Sequence, residues 1–193
     1  MNPLDYESLK EHLKTRLKPP RFVHSLCVME EAVVLAKQLG ADCEKAKLAG
    51  LLHDITKNTP DGEQLALLKK HGVTLTDLEL ASPKLYHAMS APVYIRETLH
   101  IDDPDVLSAI RYHTTARADM TALEQVLYMA DFISADRDYD GVGELRELAH
   151  RDFDAAMLVA LGYTINELVE KNALIHPDTF AAWNDVIRKE RKK

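Results

Sequence analysis

Apolar residues recur along much of the chain at the three- and four-residue spacing of amphipathic helices. Leu9, Leu13 and Leu17 repeat at four-residue intervals, which predicts a first helix that Pro19 and Pro20 end. No stretch alternates apolar and polar residues with the two-residue period of a strand. The pattern therefore predicts an all-α protein of about eight to ten helices.

Capping residues mark the expected ends of several helices. Gly40 is predicted to end a long helix over about 21–39. Asp42 is predicted to be the N-cap of the next helix. Thr121 and Glu124 form the sequence pattern of a capping box. The other predicted helices cover about 43–57, 61–71, 84–99, 104–113, 122–138, 152–172 and 177–193.

Nothing in the sequence divides the chain, since it has no repeat, linker or low-complexity segment. We expect one helical-bundle domain over residues 1–193. Within it, residues 1–20 form an N-terminal helix that packs on the rest, and residues 185–193 form a solvated basic tail. Two glycines, Gly141 and Gly143, precede the last group of helices.

Composition and charge argue against a nucleic-acid-binding, membrane or secreted protein. The formal net charge is −7, so we expect no general attraction to nucleic acid or to an anionic membrane. No apolar run approaches the roughly 20 residues that cross a bilayer, and the polar N-terminus is unlike a signal peptide. Cys27 and Cys43 have no framework spacing, which indicates free thiols. These features predict a cytoplasmic protein, and they leave a homodimer open.

A series of histidines and aspartates lies inside apolar helical segments, where unpaired charge is costly. A histidine alone on a helix is more often structural than metal-binding, so the prediction depends on the whole series. Neither a helix cap nor a solvated face explains Asp131. A cation held by side chains on facing helices would satisfy all of these groups together. The series is His24, His53, Asp54, His87, His113 and Asp131.

This series resembles the signature of the HD-domain metal-dependent phosphohydrolases. The fuller resemblance is to their YqeK-type members, the symmetrical bis(5'-nucleosyl)-tetraphosphatases, and it extends from about Arg21 to Asn184. The similar stretches are "RFVHSLCV", "AGLLHDITK", "LYHA", "AIRYHTTA", "VLYMADFI", "DRDYDGVGELR" and "IHPDTFAAWN".

The resemblance implies an all-helical HD domain that holds two divalent metal ions. By that resemblance Asp54 bridges the ions, and His87 and His113 hold the second one. The donor set of four imidazoles and two carboxylates suits iron, manganese, cobalt or zinc better than magnesium or calcium. We expect iron. The ligands implied for the first ion are His24, His53, Asp54 and Asp131.

The resemblance also implies an activity, the symmetrical hydrolysis of diadenosine tetraphosphate to two ADP. In this hypothesis a hydroxide shared by the two ions attacks a phosphorus. Lys57 and Arg137 are predicted to act with Asp54 in catalysis and to bind phosphate oxygens. Thr114 and Thr115, which follow His113, are predicted to donate hydrogen bonds to the substrate.

Other interpretations of the phosphate-binding residues stay open at this point. The alternative for Lys57 is a solvated cation at a helix end, where it favours the helix dipole. The alternative for Arg137 is an ion pair with a nearby aspartate: Asp136, Asp138 or Asp140. The family usually has a Glu-Pro pair where this chain has Ser134 and Ala135. His176 matches the family pattern, but its position before Pro177 favours a structural role.

Two functions other than the hydrolysis of diadenosine tetraphosphate stay open. The same metal site suits a phosphohydrolase that acts on a nucleoside monophosphate, a deoxynucleotide or a cyclic dinucleotide, because the ligands specify the chemistry rather than the substrate. The other alternative is a non-catalytic helical module that binds metal. The complete ligand series favours an enzyme over that module.

Overall fold

The computed structural model describes residues 5–191 and contains helices but no strand in that span. The all-α prediction is therefore confirmed, although eleven α-helices are found instead of eight to ten. None of the described helices is long and apolar enough to cross a membrane. In chain order the helices are α1 (Tyr6–Arg16), α2 (Pro19–Leu39), α3 (Cys43–Leu52), α4 (Asp61–Lys70), α5 (Asp77–Leu80), α6 (Tyr86–Leu99), α7 (Pro104–Tyr112), α8 (Ala122–Ile133), α9 (Val142–Arg151), α10 (Phe153–Glu170) and α11 (Pro177–Glu190).

The predicted capping residues are found where the sequence places them. Gly40 ends α2 in the left-handed conformation, with φ of 68°, which glycine adopts without steric cost. The Asp42 side chain accepts the backbone N–H of Glu44 at 2.9 Å. Thr121 and Glu124 form a complete capping box at the start of α8.

Several predicted boundaries are wrong. Helix α2 begins at Pro19, because proline is compatible with the first turn of a helix. Helix α3 ends at Leu52 and a series of turns follows it, so His53 and Asp54 stand at a helix end. Helix α8 ends at Ile133, where Ser134 leaves the helical conformation. Two helices were not predicted from the sequence: α5, which is a single turn, and α9.

The core is built around α2, α3 and α8, which pack against one another, with α7 against α3 and α8. One apolar cluster extends from Leu13 in α1 to Ala182 in α11. Of the predicted N-terminal helix 1–20, residues 1–4 lie outside the described residues. The C-terminal pair α10 and α11 packs beside this core.

The described part of the predicted solvated tail, residues 185–191, is not solvated throughout. It is helical through Glu190, and its first residue, Asp185, is buried. Asp185 accepts hydrogen bonds from Lys189 at 2.7 Å and from the backbone N–H of Asp119 at 3.1 Å. Residues 192 and 193 lie outside the described residues.

Candidate metal centre

The six residues of the histidine–aspartate series converge at one place in the structure. They come from five helical segments, and five of the six are almost fully buried. Neighbouring imidazoles meet edge to face with ring centroids 5.0–5.3 Å apart. The residues are His24 in α2, His53 and Asp54 after α3, His87 in α6, His113 after α7 and Asp131 in α8.

A close approach of α2 and α3 positions the first two histidines. A Cβ atom at Gly50 would lie 2.7 Å from the Cα of Met29 and 3.0 Å from the carbonyl oxygen of Val28. Only glycine allows the two helix backbones to meet at this distance. The approach holds His24 and His53 within 5.3 Å of each other, ring centre to ring centre.

Two helix ends orient His53 and His113 in the same way. Nδ1 of His53 lies 2.8 Å from the carbonyl oxygen of Gly50, and Nδ1 of His113 lies 2.7 Å from that of Ile110. A carbonyl oxygen only accepts, so each Nδ1 carries the proton. With the proton on Nδ1, Nε2 is the nitrogen that each ring can offer to a metal ion.

His24 is held between two carboxylates. Its Nδ1 lies 2.8 Å from Asp136 Oδ2, and its Nε2 lies 2.9 Å from Asp131 Oδ1. An imidazole whose outer nitrogen contacts a carboxylate is a common arrangement in metal sites. From the sequence, Asp136 was considered only as a partner of Arg137. In the structure its carboxylate contacts the His24 ring instead.

The carboxylate of Asp54 lies between the two groups of histidines. Its Oδ2 is 3.4 Å from His53 Nε2. Its Oδ1 is 3.2 Å from His87 Nε2 and 3.7 Å from His113 Nε2. One carboxylate thus presents a different oxygen to each side of the cluster.

His87 differs from the other three histidines because, within residues 5–191, no backbone carbonyl or carboxylate contacts its outer nitrogen, Nδ1. Its Nε2 lies 3.2 Å from His113 Nε2. The Lys57 ammonium lies 3.0 Å from the same atom and 3.4 Å from Nδ1. The polypeptide around His87 is held instead by Thr56, whose hydroxyl donates to the His87 carbonyl at 3.1 Å.

Three cations contact the carboxylates, and each has a side chain about one third exposed. Arg21 donates to Asp54 Oδ2 at 2.8 Å, and Lys57 lies 3.8 Å from Asp54 Oδ1. Arg137 donates to the Asp131 carboxylate and, at 2.7 Å, to its backbone carbonyl. Arg137 therefore pairs with Asp131 and not with Asp136, Asp138 or Asp140, the partners considered as the alternative from the sequence. These cations extend from the buried cluster toward solvent.

Arg21 was not among the predicted site residues. A signal for it exists, because Arg21 lies three residues before His24 and therefore on the same face of α2. The contact itself joins residues 33 positions apart, which helix periodicity does not predict.

The protonation states suit metal ligands. Burial opposes ionisation of Asp54, but His53, His113 and Lys57 hold the pKa of its carboxyl well below the usual range. Burial likewise opposes ionisation of Asp131, and its contacts with His24 and Arg137 hold its pKa well below the usual range. Burial lowers the pKa of His87 well below that of an exposed imidazole. Ionised carboxylates and neutral imidazoles are the forms that bind divalent ions.

The residues present fit a divalent metal ion. Ligand atoms of His24, His53 and Asp131 lie within 4.8 Å of one another, as do those of His53, Asp54 and His113. Among the described residues, Nε2 of His53 and Oδ1 of Asp54 are buried and form no hydrogen bond, although imidazoles lie near the Asp54 oxygen. Nε2 of His24 is likewise buried and contacts the carboxylate of Asp131. Such orphaned atoms are costly, and bound metal satisfies them.

The two threonines after His113 have different surroundings. Thr114 Oγ1 is buried without a hydrogen-bond partner. The Thr115 hydroxyl donates to the carbonyl of Ala116 at 3.0 Å, and Thr179 donates to the Thr115 carbonyl at 2.9 Å. The hydroxyl of Thr115 is therefore engaged, whereas that of Thr114 forms no hydrogen bond with any described residue.

His176 has a structural position, in agreement with the sequence analysis. It is the N-cap of α11, and its Nδ1 accepts the backbone N–H of Asp178 at 3.2 Å. Its Nε2 lies 3.5 Å from Glu79 Oε1.

Comparisons with known proteins agree with this geometry. The family model described as "HD domain" matches residues 21–136, the span that contains all six cluster residues. A crystal structure from Clostridium acetobutylicum, described as a predicted HD superfamily hydrolase involved in NAD metabolism, superposes with a TM-score of 0.92. It is 36% identical in sequence, and the match covers 96% of this chain and 98% of that one.

Curated relatives identify a narrower group within the HD-domain proteins. The chain is 37% identical over 179 residues to the symmetrical bis(5'-nucleosyl)-tetraphosphatase of Halalkalibacterium halodurans, covering 93% of this chain and 95% of the relative. It is 36% identical to the enzyme of the same name from Bacillus subtilis, covering 89% and 92%. The chain therefore belongs to the HD-domain family and, within it, to the symmetrical bis(5'-nucleosyl)-tetraphosphatases.

Proposed function

We propose that this protein hydrolyses diadenosine tetraphosphate symmetrically, with two divalent ions in the histidine–aspartate cluster. Water is consumed, the central P–O–P anhydride is broken, and each half leaves as ADP. Curated relatives that match nearly the whole chain carry the name of this activity. The buried cluster supplies the ligands that hydrolysis of a phosphoanhydride by metal ions needs.

The position of Asp54 is the observation that carries the two-ion proposal. One of its oxygens faces His53, and the other faces His87 and His113. The proposed bridge requires this arrangement. The first ion would be held by His24, His53, Asp54 and Asp131, and the second by Asp54, His87 and His113.

The three cations have a proposed role in binding the polyphosphate. Held by these residues, divalent ions would supply a lowered pKa of water and stabilisation of charge on the phosphoryl group. Arg21, Lys57 and Arg137 extend from the cluster toward solvent and would bind the non-bridging phosphate oxygens that approach it. Their present partners are the ligand carboxylates, and metal binding would release the cations toward the substrate by taking over those carboxylates.

Iron is the metal that we propose for the cell. Imidazole-rich sites without cysteine favour iron, manganese, cobalt or zinc over magnesium. Cys27 and Cys43 are both free, which supports the further proposal of a reducing, cytoplasmic location.

One assay tests the activity. Protein purified anaerobically with its native metal is offered diadenosine tetraphosphate, AMP, dATP and a cyclic dinucleotide, and the products are separated by chromatography. We expect ADP as the sole product, from the first substrate. ATP and AMP together would contradict symmetrical cleavage. Turnover of only another nucleotide would favour a different phosphohydrolase, and no turnover would favour a non-catalytic metal-binding module.

A further inference from the structure

The turn that follows α8 contacts two of the residues proposed as ligands of the first ion. The chain leaves the helical conformation at Ser134, whose ψ is 154°. The backbone N–H of Arg137 then donates to the Ser134 carbonyl at 2.9 Å, which closes a four-residue turn. Within this turn the Asp136 carboxylate contacts the His24 ring. Arg137 contacts the Asp131 carboxylate, so one short segment holds two proposed ligands.

The Ser134 hydroxyl fixes the orientation of the Asp136 carboxylate. Ser134 is fully buried, and its hydroxyl donates to Asp136 Oδ1 at 2.8 Å. The other oxygen, Oδ2, lies 2.8 Å from Nδ1 of His24. The terminal torsion of an aspartate is broad, and the hydrogen bond from the serine restricts it. One carboxylate oxygen is therefore held by Ser134 while the other holds the imidazole.

Helix α9 fixes the position of Ser134 itself. Arg146 donates through Nε to the Ile133 carbonyl at 2.8 Å and through Nη2 to the Ser134 carbonyl at 3.1 Å. These carbonyls lie at the C-terminal end of α8, where carbonyl groups lack partners within the helix. Because the guanidinium is planar and rigid, it holds both carbonyls at once. The backbone that carries the Ser134 hydroxyl is thus tied to a second helix.

Other groups near the Asp136 carboxylate limit the expected size of the effect. The Cys27 thiol, three residues after His24 on α2, also lies near this carboxylate, but a thiol is a weak donor. The Asp136 side chain is 27% exposed, so water reaches it as well. Loss of the Ser134 hydroxyl should therefore weaken the orientation of Asp136 without abolishing it.

This contact gives a physical reason for the sequence difference at 134 and 135. A Glu-Pro pair is usual in the family where this chain has Ser134 and Ala135. An ionised glutamate only accepts hydrogen bonds, so it would not donate to Asp136 and would place a second carboxylate beside it. A serine at 134 is therefore matched to an aspartate at 136.

We propose that Ser134 is a positioning residue for metal binding, which orients the imidazole of His24 through the carboxylate of Asp136. Ser134 contacts neither the proposed ion nor the substrate. The assignment rests on the proposed function, since it concerns a ligand of the first proposed ion.

A double-mutant cycle in Co²⁺ binding tests the proposal, because cobalt suits this donor set and its visible absorption reports the ligand geometry. Affinity is measured on the full chain by competition with a chelator. We expect Ser134→Ala to lower the affinity by about two- to tenfold, the effect of one hydrogen bond. Asp136→Ala should lower it by about 10- to 100-fold. In the Asp136→Ala background, Ser134→Ala should change neither the affinity nor the absorption band, because the serine then has no carboxylate to orient.

Two further variants serve as controls. Ser108→Ala removes a hydroxyl that likewise donates to a carboxylate, that of Glu124 at 2.5 Å, but Glu124 is not a proposed ligand and Co²⁺ affinity should not change. Ser134→Thr keeps the hydroxyl and should bind Co²⁺ within about twofold of the wild type. If circular dichroism shows that Ser134→Ala does not fold, Ser134→Gly removes the same hydroxyl and replaces it in the cycle.

Three results would overturn the proposal. The first is unchanged Co²⁺ affinity when the Ser134 hydroxyl is removed. The second is a loss that persists undiminished in the Asp136→Ala background, since Ser134 would then act independently of Asp136. The third is an equal loss in Ser134→Ala and Ser134→Thr, which would assign the effect to packing at this position.

Turnover by the wild-type protein separates this proposal from the proposed function. If the wild-type protein releases ADP from diadenosine tetraphosphate and Ser134→Ala binds Co²⁺ normally, the positioning role is wrong and the function stands. If the wild-type protein binds Co²⁺ without cleaving that substrate and the cycle gives the expected pattern, the positioning role stands and the function is wrong.

Discussion

The two sides of the metal centre are built differently. On the side of His24 and His53, both outer ring nitrogens are fixed, one by Asp136 and the other by the carbonyl of Gly50. On the other side, His113 is fixed by the Ile110 carbonyl. The Nε2 atom of His87 faces Asp54 and His113, but among the described residues only the Lys57 ammonium lies near its Nδ1 atom. The first side is preorganised, whereas the second depends on a bound ion to orient one of its ligands.

This difference predicts unequal metal affinities. Partners of the outer ring nitrogen set the orientation of a ligating histidine, and their loss commonly weakens metal binding by about 10- to 100-fold. His87 lacks such a partner from the start. We therefore expect the ion on the side of His87 and His113 to dissociate first when a chelator is added.

Asp54→Ala should have the largest effect, because it removes the group shared by both sides. We expect turnover of diadenosine tetraphosphate to fall by about a thousandfold or more. Metal content, measured by inductively coupled plasma mass spectrometry, should fall on both sides. Retained turnover would show that Asp54 is not the bridge.

His87→Ala should separate the two sides. We expect the variant to keep about one ion per chain and to lose most of its activity, since two ions are needed to stabilise both oxygens of the displaced anhydride. His24→Ala is the matched variant on the preorganised side, and it should lose the more tightly bound ion and keep the weaker one. A chelator should therefore remove the remaining metal from His24→Ala at a lower concentration than from His87→Ala, and equal resistance to the chelator would contradict the proposed asymmetry.

Asp136→Asn should weaken the preorganised side without removing a ligand. The amide is a weaker partner for the Nδ1–H of His24, so we expect metal affinity to fall by about 10- to 100-fold. Competition with a chelator measures the change. Asp138→Asn, an exposed position in the same loop, is the control, and an equal effect there would argue against a specific role for Asp136.

Gly50→Ala should have a smaller effect that begins in the packing of α2 on α3. The added methyl group would meet the backbone of Met29, and such overpacking costs about 1–3 kcal/mol. Urea unfolding of the metal-free protein measures the loss. Gly62→Ala, whose added methyl group meets nothing within 4 Å, should instead stabilise α4 by about 0.5–1 kcal/mol. Equal stability of the two variants would contradict the close approach.

The sequence predicts the helices and their caps well where the signal is local. Gly40, Asp42 and the Thr121 capping box act within a few residues, so their patterns identify them directly. The boundary after Leu52 was misplaced because apolar periodicity continues through Ile55 although the chain turns at His53. Buried turns and amphipathic helices share that pattern, and only tertiary packing decides between them.

The site shows the same division between local and long-range information. The six-residue series stands out because each member is a charged or ligating residue in an apolar segment. The contacts of Asp136 with His24, 112 residues apart, and of Arg21 with Asp54 depend on how separate helices pack.

The bridging position of Asp54 is the central claim, and anomalous diffraction from crystals of the metal-loaded protein tests it most directly. Data collected on either side of the metal absorption edge locate each ion without reference to the ligands. The account predicts two peaks, roughly 3.5–4 Å apart, with one Asp54 oxygen bound to each. A single peak, or two peaks of which only one contacts Asp54, would contradict it.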